Sequence, residues 1–389
     1  MSIPAKKFDY IDALRGIAIL MVVLVHTSQH VDKLNPWLFD VAAFCQLGVQ
    51  LFFVASALTL CLSYKSSLAE DGKMQVLAFT IKRFFRIAPL YYLAIPLYMA
   101  LYAVKDRLLT GELHVPVQYT ASAIASNVFF VHDFVPWAQN NIVPGGWSIG
   151  VEMAFYALFP LLFYVFNRLN FRRNVLLAAI IVMLLFNVAT NYFLSPVFGY
   201  SIANQSFAYY FLSNHMSVFL IGMLVYSIVR NGGHLENRFT VAGLATATFI
   251  GFLILTAYVW KLNWPFSFLL VPTLAGASFG GLAVLASQLH SFPKLLRQIG
   301  VLSYSIYILH FICTEALEPV LVRKWDAVLP TNPNFQVLVF FILNVALAFA
   351  MAFIANKLIE APGIALGRKL VARLSLGAGF RRECSHFRG

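Results

Sequence analysis

Charged side chains are scarce in this sequence. Asp, Glu, Lys and Arg make up 11% of its 389 residues, against 60% for the apolar set, and the mean hydropathy is +0.76. A water-soluble domain carries about 25% charged residues, so a soluble fold is excluded. Cysteine is nearly absent as well. Cys45, Cys61, Cys313 and Cys384 form no CxxC pair and no metal-type spacing, which excludes a disulfide framework or a thiolate centre. They read as small apolar packers. There is no solenoid or low-complexity repeat, and no polar stretch long enough to fold as a soluble domain by itself. The first apolar run lacks a small-residue cleavage site and is too long for a signal-peptide core, so it is expected to stay as a helix. The 28 basic residues outnumber the 16 acidic ones for a net charge of +12. They are dispersed between apolar runs, so the excess speaks of membrane topology rather than of nucleic acid.

What the chain does have is long uncharged runs of a length that spans a bilayer as helices. Ten are predicted, at 11–31, 44–62, 87–104, 146–166, 175–193, 214–229, 240–260, 265–287, 299–314 and 336–359. The expected class is therefore all-α, a polytopic integral membrane protein of about ten transmembrane helices. Placing both termini in the cytoplasm puts Lys6, Lys7, Arg15, Lys65, Lys73, Lys82, Arg83, Arg86, Arg168, Arg172, Arg173, Arg230, Arg238, Lys294, Arg297 and Lys357 on the inner side. The tail residues Arg368, Lys369, Arg373, Arg381, Arg382 and Arg388 join them, and only Lys33, Lys105, Arg107, Lys261, Arg323 and Lys324 are left outside. That asymmetry satisfies the positive-inside rule. The basic tail reads as a topology anchor near anionic headgroups.

Ionisable groups within such runs are costly, so they mark either functional sites or pairs that lock helices together. "LRGIAILMVVLVH" runs from Leu14 to His26 with Arg15 and His26 as its only titratable groups. Eleven residues are close to three turns, so the two share one face, about 16 Å apart along the axis. Arg15 then sits at the inner boundary and His26 in the outer half. Asp12 lies within ion-pair reach of Arg15. His26 and His30 are one turn apart, but two ligands on one helix do not define a metal site, and no metal is expected.

"GGWSIGVEMAFYALFPLL" carries Glu152 five residues, about 7 Å, past Trp147, which places it at a depth comparable with His26. Trp147 taken alone reads as an interfacial anchor. In "LSYSIYILHF" Ser303 and His310 lie nearly on one face, with His310 toward the outer end. Taken alone, His310 is a hydrogen-bonded helix-end histidine. Lys82, Arg83 and Arg86 cluster just before the third run, where Pro89 can begin a helix. Their charge fits either phosphate binding or ordinary positive-inside anchoring.

Taken together and in order, these segments resemble the acyltransferase-3 family of membrane acyltransferases. Its arginine and histidine with ten residues between them correspond to Arg15 and His26 in "LRG…H". A second-helix motif resembles Phe52-Phe53-Val54-Ala55-Ser56-Ala57-Leu58, with Ala57 where the family usually has glycine. Further correspondences are Lys82, Arg83, Arg86, Ile87, Pro89 and Tyr91, then Trp147, Ser148, Glu152, Phe155 and Tyr156. Ser303, Tyr304, Ser305, Tyr307 and His310 follow, and Glu360-Ala361-Pro362 closes the series.

The resemblance implies transfer of an acyl group, usually acetyl, from cytoplasmic acyl-CoA to a hydroxyl of an extracytoplasmic glycan or lipid-linked glycan at a bacterial inner membrane. Acyl-CoA would be the donor substrate, and no bound cofactor is expected. The transmembrane acyltransferase domain is expected over 1–367 and a basic cytoplasmic tail over 368–389. With about 27 residues after Pro362, no fused extracytoplasmic domain is expected.

His26 is the expected general base, and Glu152 would orient its imidazole or stabilise its cation. Direct attack and a covalent acyl-histidine both remain open. Lys82, Arg83 and Arg86, with Arg15, would hold the donor phosphates. Trp147, Ser148, Tyr156, Ser303, Tyr307 and His310 are the expected acceptor-binding or supporting residues. Segment 105–146, with His114 and His132, either shapes acceptor binding or serves as a lid. The rival readings are a secondary transporter, for which no inverted repeat is visible, and a non-catalytic sensor or assembly factor.

Overall fold

The computed structural model describes residues 8–65, 72–198, 206–230, 238–262, 267–319, 321–322 and 332–386. Lys6, Lys7, Arg323, Lys324 and Arg388, and the side chains of Arg381 and Arg382, lie outside the described residues. Among the described residues the secondary structure is helical throughout. Nine helices are long and apolar enough to cross a membrane, and a tenth span is completed by the pair Lys294–Val301 and Ser303–Leu317, bent by 70° at Leu302. The chain is an all-α, multi-pass membrane protein, and each of the ten expected runs coincides with one of these spans.

The helices are α1 Asp9–Ser28, α2 Pro36–Phe44, α3 Gly48–Lys65, α4 Gly72–Thr110, α5 Ala121–Val128, α6 Gly146–Arg168 and α7 Arg173–Phe198. They continue with α8 Ser206–Tyr210, α9 Leu212–Val229, α10 Arg238–Lys261, α11 Ser267–Gln288, α12 Lys294–Val301, α13 Ser303–Phe311, α14 Pro333–Ala355 and α15 Ala361–His386. Helices α1, α3, α9 and α11 form the enclosed middle, whereas α7 and α10 are largely exposed at the rim. Rim helices are apolar all round because lipid, not water, covers their outer face.

Two glycines explain how α1 reaches its place. A Cβ on Gly300 would fall 1.7 Å from the Asp12 carbonyl oxygen, and one on Gly16 would fall 2.4 Å from that of Leu296. The backbones of α1 and α12 therefore cross in contact, as small residues permit between membrane helices. The Arg297 guanidinium ties the crossing by donating to Asp9 Oδ2 at 2.6 Å.

Two boundaries differ from expectation. Helix α4 does not begin near Pro89. It starts at Gly72 and passes through Pro89 and Pro96. Proline leaves the carbonyl four residues earlier without its helical donor. Here α15 covers that spot: a Cβ on Gly363 would lie 2.8 Å from Pro89 Cγ and 3.0 Å from the Phe85 oxygen. The last span is also longer than 336–359. A π-turn at Asn356–Glu360 joins α14 to α15, and one helix runs through the expected division at 367/368.

Candidate functional site

Three cavities lie in series along the Arg15–His26 direction of α1. The first, of about 670 Å³, is lined by Asp12, Arg15, Thr59, Arg86, Glu360 and Arg368 among others. The second is a narrow space of about 60 Å³ bordered by Arg15, Ser56, Arg86, Ser148, Glu152, Tyr156, Ser303 and Tyr307. The third, about 610 Å³, holds His26, Gln29, Trp147, Tyr209, Tyr210 and Tyr307. Arg15 and Arg86 belong to both the first and second, and Val49 and Tyr307 to both the second and third. One helix thus presents an arginine to the first space and a histidine to the last.

At the arginine end, Arg15 donates to Thr59 Oγ1 at 3.2 Å. It lies within the electrostatic reach of Arg86, Glu152 and Asp12. Arg83 sits beside the cavities rather than in them. It donates to Ser63 Oγ at 3.2 Å, and its guanidinium lies 5.7 Å from the ring centres of both Phe79 and Tyr156. Lys82 is exposed and lines none of the three cavities. The expected trio of Lys82, Arg83 and Arg86 is therefore not one clamp: only Arg86 reaches the cavity, next to Arg15. Residues 82 and 86 share a helix face, but Lys82 lies one turn nearer the exposed start of α4, which the run of charges in the sequence conceals.

In the narrow middle, Ser56 Oγ donates to Glu152 Oε1 at 2.6 Å, and Tyr156 donates to the same oxygen. Arg15 and Arg83 both feel this carboxylate. Glu152 is thus the counter-charge of the arginine group. It lines a different cavity from His26, and no hydrogen bond joins the two, so the expected His26–Glu152 dyad is not formed. The cause is visible at the start of α6. Gly146 to Val151 are all buried, because segment 111–145 folds over them. His132 Nε2–H donates to the Gly146 oxygen at 2.9 Å. Trp147 is not an interfacial anchor: it stacks on Tyr210 at 4.7 Å and packs against His215 and Phe53. A depth counted inward from Trp147 therefore started below the surface.

Segment 111–145 is tied within itself and to the head of α9. Tyr119 donates to the Ile142 oxygen at 2.7 Å, and Asp133 Oδ2 accepts from the Leu212 N–H at 3.2 Å at the head of α9. Burial pushes the Asp133 carboxyl up to about 8. His114 is exposed and pairs only with Glu112.

A collar separates the middle space from the third. Tyr307 donates to the Gly145 oxygen at 3.0 Å and accepts from Ser148 Oγ at 2.7 Å. Gly145 has φ +72°, and a Cβ there would sit 2.9 Å from both the Tyr307 hydroxyl and Phe311 Cε2. Glycine is required on both counts. Ser303 faces the middle space from α13.

Beyond the collar, His26 Nδ1 meets Gln29 Oε1 at 3.3 Å. Donation from Nδ1–H leaves Nε2 with its lone pair. His310 is fully buried behind it, with ring centres 5.3 Å apart. His310 Nδ1–H donates to the Tyr307 oxygen at 2.8 Å, and its Nε2 has no partner among the described residues. The polar partner of His26 is thus Gln29, while the rings of His310 and Phe311 pack against it. Gln29, Tyr209 and Tyr210 carry no signal in the sequence, Ser56 stands there only within the second-helix motif, and Arg368 only among the tail charges. Ser56 had a visible signal, a hydroxyl inside an apolar run. Arg368 had none, since it reads as one of many tail charges.

These features define a multi-pass membrane protein in which three neighbouring cavities, sharing lining residues at each junction, are set between an arginine-lined space and a histidine-lined one. The acyltransferase domain of the acyltransferase-3 family matches residues 8–353, and the chain belongs to that family. Peptidoglycan O-acetyltransferase OatA of Listeria monocytogenes is 26% identical over 379 residues, covering 92% of this chain and 56% of that protein. The chain thus spans little more than half the length of that relative. Nodulation protein 10 of Rhizobium leguminosarum bv. viciae is also 26% identical, with 93% of this chain and 95% of that one covered. Protein 2 in the picA locus of Rhizobium radiobacter is 28% identical over 165 residues, 40% of this chain and 82% of that protein. No solved structure matches.

Proposed function

We propose that this protein transfers an acyl group, most simply acetyl, from acyl-CoA on the cytoplasmic side to a hydroxyl of a glycan on the other side of the inner membrane. The observation that carries this reading is the series of cavities, which shares Arg15 and Arg86 at one junction and Val49 and Tyr307 at the next. A soluble thioester with phosphates at one end needs cations at the entrance and a slot for its arm. A weakly acidic hydroxyl needs a base where it meets the thioester. Eleven residues of helix between Arg15 and His26, about 16 Å, match the order of length of an extended pantetheine arm.

In this reading both termini are cytoplasmic. Arg15 and Arg86 take the pyrophosphate, with Glu152 limiting their mutual repulsion and fixing Ser56 and Tyr156. The arm passes Ser148, Ser303 and Tyr307. The glycan occupies the third cavity, where Trp147, Tyr209 and Tyr210 offer stacking faces and Gln29 an amide. His26 Nε2 accepts the hydroxyl proton as the oxygen attacks the thioester carbonyl. The carbon–sulfur bond breaks, the thiolate of CoA takes that proton, and the ester stays on the glycan. His310, held by the Tyr307 carbonyl, packs its ring behind His26 and limits how that imidazole can turn. The relatives support this choice of chemistry: OatA of Listeria monocytogenes is a peptidoglycan O-acetyltransferase.

The test is surface-glycan NMR on a strain lacking the gene, with and without the wild-type copy. Loss of O-acyl resonances on deletion and their return on complementation support the reading. Unchanged O-acylation on deletion would sink it.

A further inference from the structure

The first cavity is not made by the matched domain alone. Asn356, Glu360, Ala361, Ile364, Ala365 and Arg368 line one side of it, and all lie beyond residue 353, where the family match ends. They are held there by close packing of α15 on α4. A Cβ on Gly367 would lie 2.7 Å from Phe85 Cβ, and Gly363 fits over Pro89 in the same way. Arg368 follows Gly367 directly, so the contact that seats the helix also turns this guanidinium to the cavity that Arg86 of α4 enters.

The three arginines differ in depth. Arg15 and Arg86 border both the first and the narrow middle cavity, whereas Arg368 borders only the first and is exposed to solvent. Neither Arg86 nor Arg368 forms an ion pair with a described acidic side chain. Of the two acids in the lining, Glu360 is already engaged by Ser305 Oγ at 2.7 Å. A donor threaded arm-first would bring its pyrophosphate to Arg15 and Arg86 and leave its outermost phosphate at the mouth. Guanidinium forks suit a phosphate monoester there.

We infer that Arg368 binds the 3′-phosphate of the CoA donor, so that the C-terminal helix supplies the selectivity of the site for CoA over its 3′-dephospho form. This rests on the donor assignment above. The experiment measures binding of CoA and of 3′-dephospho-CoA to the purified full chain in detergent, by calorimetry at low salt. Wild type is expected to favour CoA by about tenfold or more, as loss of a charge-assisted contact implies. Arg368→Gln should bring the two affinities together, Arg368→Lys should restore part of the preference, and Lys369→Gln should keep all of it. An Arg368→Gln protein that still prefers CoA overturns the inference and leaves the donor reading intact, as does a wild type that binds both ligands equally. A wild type that binds neither overturns the donor reading and the inference together.

Discussion

Replacing Glu152 by Gln separates two accounts of this carboxylate. The substitution keeps an amide oxygen able to accept from Ser56 and Tyr156, and it removes one negative charge beside Arg15 and Arg83. Breaking a fully buried ion pair costs roughly 3–5 kcal/mol, but Glu152 is half-buried and makes no direct ion pair with either guanidinium. Arg15 and Arg86 also border the larger first cavity, so the loss is expected nearer the exposed-pair scale, about 1 kcal/mol. That corresponds to a drop of about 1–2 °C in Tm for a chain of this size. Thermal unfolding in detergent, read at low salt and with added phosphate or CoA, is the assay. The variant should melt earlier at low salt and recover with either anion, and its CoA affinity should not fall. The pH dependence of transfer should keep the limb set by His26. Wild-type stability together with a displaced pH limb would refute this reasoning and return Glu152 to the side of the imidazole.

Other perturbations reach other parts of the route. Gly145→Ala forces a side chain into the left-handed region, costing about 1–2 kcal/mol, and drives a Cβ against Tyr307 and Phe311. Transfer activity is expected to fall together with Tm, and an active, fully stable variant would show that the collar yields freely. Asp133 has its carboxyl raised by burial to about 8 from 3.8, so the native state holds a proton that the unfolded chain releases. Its contribution to stability is complete below about pH 4 and is lost as pH rises through about 8. Asp133→Asn, whose amide oxygen still accepts from Leu212, should therefore exceed wild type in Tm increasingly from pH 5 to 9; parallel Tm curves for the two proteins would contradict this.

Much of the architecture was legible because lipid imposes a simple code. Runs of apolar residues long enough to span can be read directly, and all ten reappear as helical spans. What periodicity could not supply was depth and direction. Counting inward from Trp147 puts Glu152 level with His26, but segment 111–145 buries Trp147. Three cations close in sequence suggest a clamp, yet of Lys82, Arg83 and Arg86 only Arg86 lines one of the three cavities. Arg368 was read with the tail because nothing local distinguishes a guanidinium packed behind Gly367 from one in water. The Gly16–Gly300 crossing was equally hidden, since it depends on two helices far apart in the chain. Residues that act through their own helix were easy to nominate, and those brought together by tertiary packing were not.

The most direct test of the central claim is single-turnover transfer in proteoliposomes, with radiolabelled acetyl-CoA supplied to the Arg15 side and a glycan acceptor on the His26 side. His26→Ala should retain CoA binding and transfer at least about 10²-fold more slowly than wild type, the scale of a lost general base. Equal rates from the two correctly inserted proteins would contradict the account.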